Sequence, residues 1–322
     1  MTTPQQLHIP VLLADTLAVL NPSKGERYLD LTAGYGGHAS SIIDRIGGAN
    51  HAVLCDRDDY AIAHLAQLKE RGARLIQADY LSAVQQLASE GDKFDMILMD
   101  LGVSSPQLDQ AERGFAFSHS GPLDMRMDRT GRLTAAQVVN HYGESELVRL
   151  LTDYGEIHSR LAKALAGAIC HRRRRQPFQT TLELAEAVRH RVGELDGGKY
   201  HRVHPATQVF QAIRIEVNDE LNQLRRTLPR LAGLLNSGGR LAVITFHSLE
   251  DRIVKQYMDD QSDGLDAPYS LLTGKPILGS INDAFQPRAR SAKLRAVCKN
   301  KNQTERSDPC QSKLVAAVTL TA

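Results

Sequence analysis

The sequence predicts an α/β protein, an open and mostly parallel sheet with crossover helices, broken after its fourth strand by a helical insertion. Three observations carry this. Short apolar runs alternate with helical stretches over the first hundred residues; the alternation stops between residues 106 and 204; it then resumes with an amphipathic helix and an apolar run at residues 240–246. Strands buried on both faces read as near-continuous apolar runs, and parallel neighbours need a crossover between them, so this alternation marks a parallel sheet.

In order, strands are expected at residues 27–31, 51–56, 74–79 and 94–100, with helices at 39–46 and 58–71. The insertion reads as helices at 133–141, 145–151, 157–172 and 181–192, with a loop over 193–199. Phe210, Ile213, Val217, Leu221, Leu224, Leu228, Leu231 and Leu235 step by three and four, which is one helical stripe that Pro229 is placed to bend. A strand at 240–246, a helix opening at Ser248 or Asp251 and running through Tyr257, and a terminal strand at 314–320 complete the pattern. Residues 1–105 and 205–322 are thus assigned to the α/β domain and 106–204 to an inserted, substrate-recognising one.

Composition narrows the class. Hydrophobic residues make up 42% and charged residues 24%, the proportions of an ordinary globular protein. No apolar run approaches the roughly 20 residues that span a bilayer. Pro10 and Asp15 interrupt the apolar N-terminal stretch, so no secretory signal is expected and the cytoplasm is. Cys55, Cys170, Cys298 and Cys310 are scattered without Cys-x-x-Cys or zinc-finger spacing. They read as inert thiols, and no metal site is expected.

The chemistry is concentrated at strand ends. Each of the first four strands closes on an aspartate: Asp30, Asp56, Asp79 and Asp100. One such residue is most simply a cap. Four in succession, at the edge where open α/β sheets bind ligands, make an acidic rim suited to cationic and hydroxyl groups. The turn Gly34-Tyr-Gly-Gly-His-Ala39 fits Gly-x-Gly-x-x-Gly/Ala, and Asp56 follows Gly36 by 20 residues, the spacing of a carboxylate that takes ribose hydroxyls. By itself this turn suits a dinucleotide, hence a nicotinamide-dependent oxidoreductase, as well as S-adenosylmethionine. Asp30 separates them: a carboxylate four residues before Gly34 repels a pyrophosphate but stabilises a sulfonium and an ammonium.

Several stretches together resemble the bacterial 16S ribosomal RNA (cytosine-N4)-methyltransferase family (RsmH, also called MraW). They are His8-Ile-Pro-Val-Leu-Leu13, Asp30-Leu-Thr-Ala-Gly-Tyr-Gly-Gly-His38, Asp56-Arg-Asp58 and Asp100-Leu-Gly-Val-Ser-Ser-Pro-Gln-Leu-Asp109. Arg113-Gly-Phe-Ala-Phe117, Gly121-Pro-Leu-Asp-Met-Arg-Met-Asp128, the segment from Val209 to Leu221, Phe246-His-Ser-Leu-Glu-Asp-Arg252 and the segment from Pro287 to Arg295 continue the match. The resemblance implies a class I S-adenosylmethionine-dependent methyltransferase, a Rossmann-like sheet with a helical insertion domain. It implies that S-adenosyl-L-methionine is held by Gly36, Gly37, His38, Asp56, Tyr80, Asp100 and Gln107, and that the partner is the 16S rRNA of the small ribosomal subunit. Tyr35 departs from the family pattern, where small or basic residues are common. Taken alone, His38 reads as a helix-start residue facing solvent.

A cytosine amine is a poor nucleophile that has to be oriented, and Asp100 with Ser104 or Ser105 is placed to do so. His247 after the fifth strand is a second candidate and, equally, a helix cap. The segment after the fourth strand lacks the Pro-Pro-aromatic motif of many amine methyltransferases, leaving Phe115, Phe117 or an aromatic from the insertion to replace it. For RNA phosphates the candidates are Arg172, Arg173, Arg174 and Arg175 in the insertion and Arg288, Arg290 and Lys293 near the C-terminus. Such runs are also what a solvated face looks like. A non-catalytic RNA-binding assembly factor would share these runs without needing the acidic rim. Self-association as a homodimer is left open.

Overall fold

The computed structural model describes residues 10–199, 204–264 and 266–301. Its centre is one sheet of eight strands in the order β3-β2-β1-β4-β5-β8-β6, with β7 paired to β8. The strands are β1 (Tyr28–Asp30), β2 (Ala52–Asp56), β3 (Arg74–Gln77), β4 (Phe94–Asp100), β5 (Leu235–Thr245), β6 (Tyr269–Leu271), β7 (Ile277–Leu278) and β8 (Lys293–Lys299). The first five pair in parallel with one another, while β8 runs antiparallel to β5, β6 and β7.

Alternation along the strands supplies two cores. Tyr28, Met96 and Leu98 face one side, where α1 (Leu13–Leu20) and α2 (Gly37–Ile46) cover them. Leu29, Ile97 and Met99 face the other. The helices after β2 are α3 (Asp59–His64) and α4 (Ala66–Glu70); the one after β3 is α5 (Tyr80–Ser89). A third core belongs to the helical segment: α6 (Ser105–Asp109), α7 (Ala135–His141), α8 (Glu144–Asp153), α9 (Ser159–Arg175), α10 (Thr181–Asp196) and α11 (Ala206–Asn218) follow β4. This core runs from Phe115 to Ile213 and so draws in the first half of α11. Then come α12 (Glu220–Leu234), α13 (Ser248–Ser262) and α14 (Gly279–Asn282).

The long stripe is two helices, not one. Asp219 takes φ 49°, in the left-handed region, and separates α11 from α12. Periodicity survives because each half is amphipathic, but Phe210 and Ile213 enter the helical core while Leu224, Leu228 and Leu231 enter the sheet core. The α12 helix runs through Pro229.

Other expectations also shift. The third strand stops at Gln77, and Asp79 caps α5 by accepting from the Leu81 and Ser82 amides at 3.0 Å each. The helix expected at 58–71 breaks at Leu65, and α9 extends to Arg175. The loop expected from Gly193 begins only at Gly197, after α10. The basic segment around Lys293 is an internal strand, β8, with Leu294, Ala296 and Val297 buried. The expected strand at 314–320 lies outside the described residues.

One buried ion pair fastens the helical segment to the sheet. Asp58, after β2, accepts from Arg113 Nη1 at 2.8 Å, with the two side chains 1% and 2% exposed. The second Arg113 amine donates to the carbonyls of Arg126 and Met127. Gly114 makes the approach possible. Its φ is +72°, and a Cβ there would lie 2.1 Å from the Pro122 carbonyl oxygen. Arg113→Ala is expected to lower unfolding stability by about 3–5 kcal/mol, because it strands a buried carboxylate. An unchanged denaturant midpoint would show that the pair carries no such constraint.

Candidate active site

The strand order reverses between β1 and β4, and ligands of open α/β sheets bind at such a switch point, outside the carboxyl ends of the strands. A cavity of about 1270 Å³ opens there. Ligand sites commonly occupy about 300–1,000 Å³, so this one has room for two reactants.

The glycine turn forms one half. Gly36 has φ +81°, and a Cβ on it would press to 3.0 Å from Leu65 Cδ2. Gly37 opens α2 directly behind it. Asp56 closes the turn by accepting from the Gly34 amide at 2.8 Å and the Asp58 amide at 2.9 Å. Burial raises its pKa, and those two amides partly offset the effect. Asp30, 1% exposed, accepts from the Tyr28 hydroxyl at 2.7 Å and the Thr32 amide at 3.1 Å. Burial nevertheless pushes its carboxyl up to about 7. Two strand-end aspartates are therefore held by local donors while lining the cavity, and Asp79 lines it as a helix cap.

His38 does not face solvent. It is 6% exposed, its Nε2 lies 3.1 Å from the Val11 carbonyl, and burial takes its pKa down to about 4. A neutral ring donating from Nε2 leaves Nδ1 as an acceptor, 3.6 Å from Asp100 Oδ2. That distance is too long for a hydrogen bond, and an uncharged imidazole makes no ion pair. Tyr80 lines the cavity with its hydroxyl donated to the Glu220 carbonyl at 2.9 Å. Gln107 lines it too, but its amide is already committed. It accepts from the Ser104 amide at 2.9 Å and donates to Asp58 at 2.5 Å.

Asp100 stands at the middle. Its amide donates to Thr32 Oγ1 at 2.6 Å, and its Oδ1 is buried without a hydrogen-bond partner. Burial first, then Asp30 and Glu250, hold its pKa well above the usual carboxylate range. An acceptor left unsatisfied in a buried site costs about 1–3 kcal/mol, so it invites a donor from a ligand. Ser104 caps α6 and Ser105 begins it, both on the cavity wall. His247 caps α13, as the helix-cap reading expected, and it also lines the cavity.

Sequence reasoning missed the wall opposite. Arg214 clamps Glu220 with two bonds of 2.8 and 2.9 Å. Burial would raise Glu250, but His247 and Arg214 outweigh it and hold Glu250 below its ordinary value. Glu220, His247 and Glu250 bring three potential metal-ligand side chains within 4.8 Å of one another, although no metal site was expected. Arg214 already neutralises one of the carboxylates. Only the periodic spacing of α11 hinted at Arg214, since a charge on an apolar stripe carries no signal of its partner.

The basic candidates divide. Arg173 donates to the Val139 and Tyr142 carbonyls, at 2.6 and 2.5 Å, and Arg172 lies over the Phe178 ring at 4.2 Å. Arg174 and Arg175 are exposed. Lys293 pairs with Asp251 at 2.8 Å, which also binds Arg295. Arg290 is exposed. The Arg288 side chain lies outside what is described.

The raised Asp30 pKa makes a stability prediction. A carboxyl that binds its proton more tightly when folded stabilises the fold fully below its unfolded pKa near 4 and loses that contribution as pH rises through about 7. Ligand-free protein is expected to lose stability relative to Asp30→Asn between pH 4 and 7. A difference independent of pH in denaturant melts contradicts the buried, protonated carboxyl.

A family model described as the MraW methylase family matches residues 5–300. Ribosomal RNA small subunit methyltransferase H of Heliobacterium mobile is 41% identical over 315 residues, covering 91% of this chain and 98% of that protein. The protein of the same name from Nitrosomonas eutropha is 43% identical over 307 residues, covering 90% and 96%. A crystal structure described as a putative rRNA-methylase from Clostridium thermocellum aligns with a TM-score of 0.42 at 10% identity, covering 94% of this chain and 99% of that one. With a family model spanning nearly its whole length, and relatives above 40% identical along nine-tenths of it, the chain belongs to the MraW methylase family.

Proposed function

We propose that the chain transfers a methyl group from S-adenosyl-L-methionine to the exocyclic N4 amine of a cytidine in 16S rRNA of the small ribosomal subunit. The observation that carries this reading is the buried, unpartnered Oδ1 of Asp100 in a cavity sized for two reactants. The printed names of the relatives supply the substrate class, and the acidic rim supports the donor. Asp30, Asp56 and Asp100 around one glycine turn repel a pyrophosphate and attract a cation that also carries ribose hydroxyls.

The donor supplies an electrophilic methyl on a sulfonium. The residues do the rest. The Gly36–Gly37 turn and the N-terminus of α2 would receive its carboxylate, Asp56 would accept from its ribose, and Tyr80 would pack against its adenine. Asp100 Oδ1 would accept a hydrogen bond from the amine and aim its nitrogen lone pair at the methyl carbon; as the C–N bond forms the methyl–sulfur bond breaks, its electron pair leaves on sulfur as a neutral thioether, and the ionised Asp100 would take the amine proton. A carboxylate with a raised pKa is the more basic for that task. Ser104, Ser105 and His247 line the same cavity, and the helical segment of residues 106–204 covers the base and excludes water. Positioning of this kind contributes about 7 kcal/mol or more in well-aligned pairs. Because the base has to leave any stack, a single-stranded or flipped nucleotide is the substrate. Arg174, Arg175 and Arg290 are the exposed candidates for its flanking phosphates. The reaction places the protein in the cytoplasm, and no helix of the described residues is long and apolar enough to cross a membrane.

Three outcomes test this. Calorimetry is expected to show S-adenosylmethionine binding, weakened about 10- to 100-fold in Asp56→Ala, and no NADH binding. The opposite preference refutes the class. Asp100→Asn is expected to keep donor affinity within a few-fold while methyl transfer falls about 100-fold or more. Loss of donor binding alone reassigns Asp100 to the donor. Donor affinity should also rise with pH, by up to about tenfold per unit below 7, because a cation requires Asp30 ionised. A flat profile between pH 5.5 and 7 removes that coupling.

A further inference from the structure

The loop that leads to the cavity-lining Ser291 carries an apolar pair that the reaction does not use. Ile281 and Phe285 are each 70% exposed, and Phe285 is the one aromatic among the exposed large hydrophobics of the described residues. Leaving such side chains in water forgoes stabilisation that burial would give. The loop that bears them is not loosely attached. Asp283 accepts from the Leu12 amide, Asn282 Nδ2 donates to Asp15 at 2.7 Å, and the Gly279 amide donates to the Ala292 carbonyl at 2.9 Å. The segment it is pinned to lines the cavity through Pro10, Val11 and Leu13, and the same loop reaches the cavity at Ser291. Phe285 does not itself line the cavity, but its loop is fastened to the segment that does.

Charge identifies what it meets. Residues 275–301 carry seven basic side chains against one acidic, Asp283. Three of the seven are spent inside the fold: Lys293 and Arg295 on Asp251, and Lys299 on the carbonyls of Ala232 and Leu235. Lys275 and Arg290 are exposed on either side of the apolar pair. An exposed aromatic between free cations, at the edge of a cavity that takes one nucleotide, is the arrangement that grips a single strand through base stacking and phosphate contact.

The geometry points to Phe285, backed by Ile281, as a stacking platform for a nucleotide flanking the target in single-stranded RNA. This rests on the RNA substrate proposed above and adds a specific contact to it. Stacking holds the strand on the rim while the target base enters the cavity.

The test is binding of a single-stranded 16S rRNA fragment by the full-length protein, read by fluorescence anisotropy separately from methyl transfer. Phe285→Ala is expected to weaken RNA binding about 5- to 100-fold. Donor affinity, kcat and the unfolding midpoint should stay at wild-type values, and the salt slope should not change. Phe285→Trp is expected to retain binding. Arg290→Ala, by contrast, should make the salt slope shallower by about one. Affinity within twofold of wild type in Phe285→Ala overturns the proposal, as does full rescue by Phe285→Leu, which keeps the apolar volume and loses the ring. Dissociation of a wild-type dimer by Phe285→Ala, with RNA binding unchanged, assigns the surface to a second copy instead. RNA binding that needs Phe285 but is accompanied by no methyl transfer refutes the proposed activity and leaves the platform standing.

Discussion

The buried pair between Asp58 and Arg113 is the constraint on which the site depends. Asp58 starts α3, caps it, and receives both Arg113 and the Gln107 amide. Arg113 in turn holds the carbonyls at 126–127. The donor turn, the segment after β4 and the opening of the helical insertion are thereby fixed to one carboxylate. A second contact repeats the link: Asn218, at the break between α11 and α12, accepts from the Met127 amide at 2.9 Å and donates to the Met125 carbonyl at 2.7 Å. Arg57 donates to the Asn218 carbonyl at 3.2 Å. Motifs far apart in the chain meet here because a charge is stable in the interior only when paired and hydrogen-bonded.

That framework leaves the reacting edge under electrostatic tension. Asp30, Asp56 and Asp100 lie at neighbouring strand ends, and burial raises all three. Asp30 and Asp56 are compensated by backbone donors, while Asp100 keeps an unsatisfied oxygen. Burial favours the protonated form of these carboxyls, and a bound cation shifts the balance towards ionisation. Binding and proton release are coupled by the same geometry that points Asp100 at the acceptor.

Legibility varied with the range of the interaction. Parallel strands announce themselves because both faces are buried, and the glycine turn because its backbone approaches a ligand. The Asp219 break was hidden because both halves of the stripe keep the same period while serving different cores. Strand β8 was hidden because Lys293, Arg295 and Lys299 look like a solvated basic run until Asp251 and two carbonyls receive them. Asp79 resembled its three counterparts at strand ends, yet it lies two positions beyond the end of β3, where it caps α5.

By itself, the sequence determined the α/β class, the acidic rim and the donor turn, because each follows from local periodicity, local charge and local backbone geometry. Tertiary structure alone decided which charges are neutralised. It placed Arg214 on Glu220, buried His38 as a neutral ring, committed Gln107 to Asp58 and left Asp100 Oδ1 without a partner. Partner choice depends on which distant segments the packed cores bring within about 3 Å, and no local pattern encodes that distance.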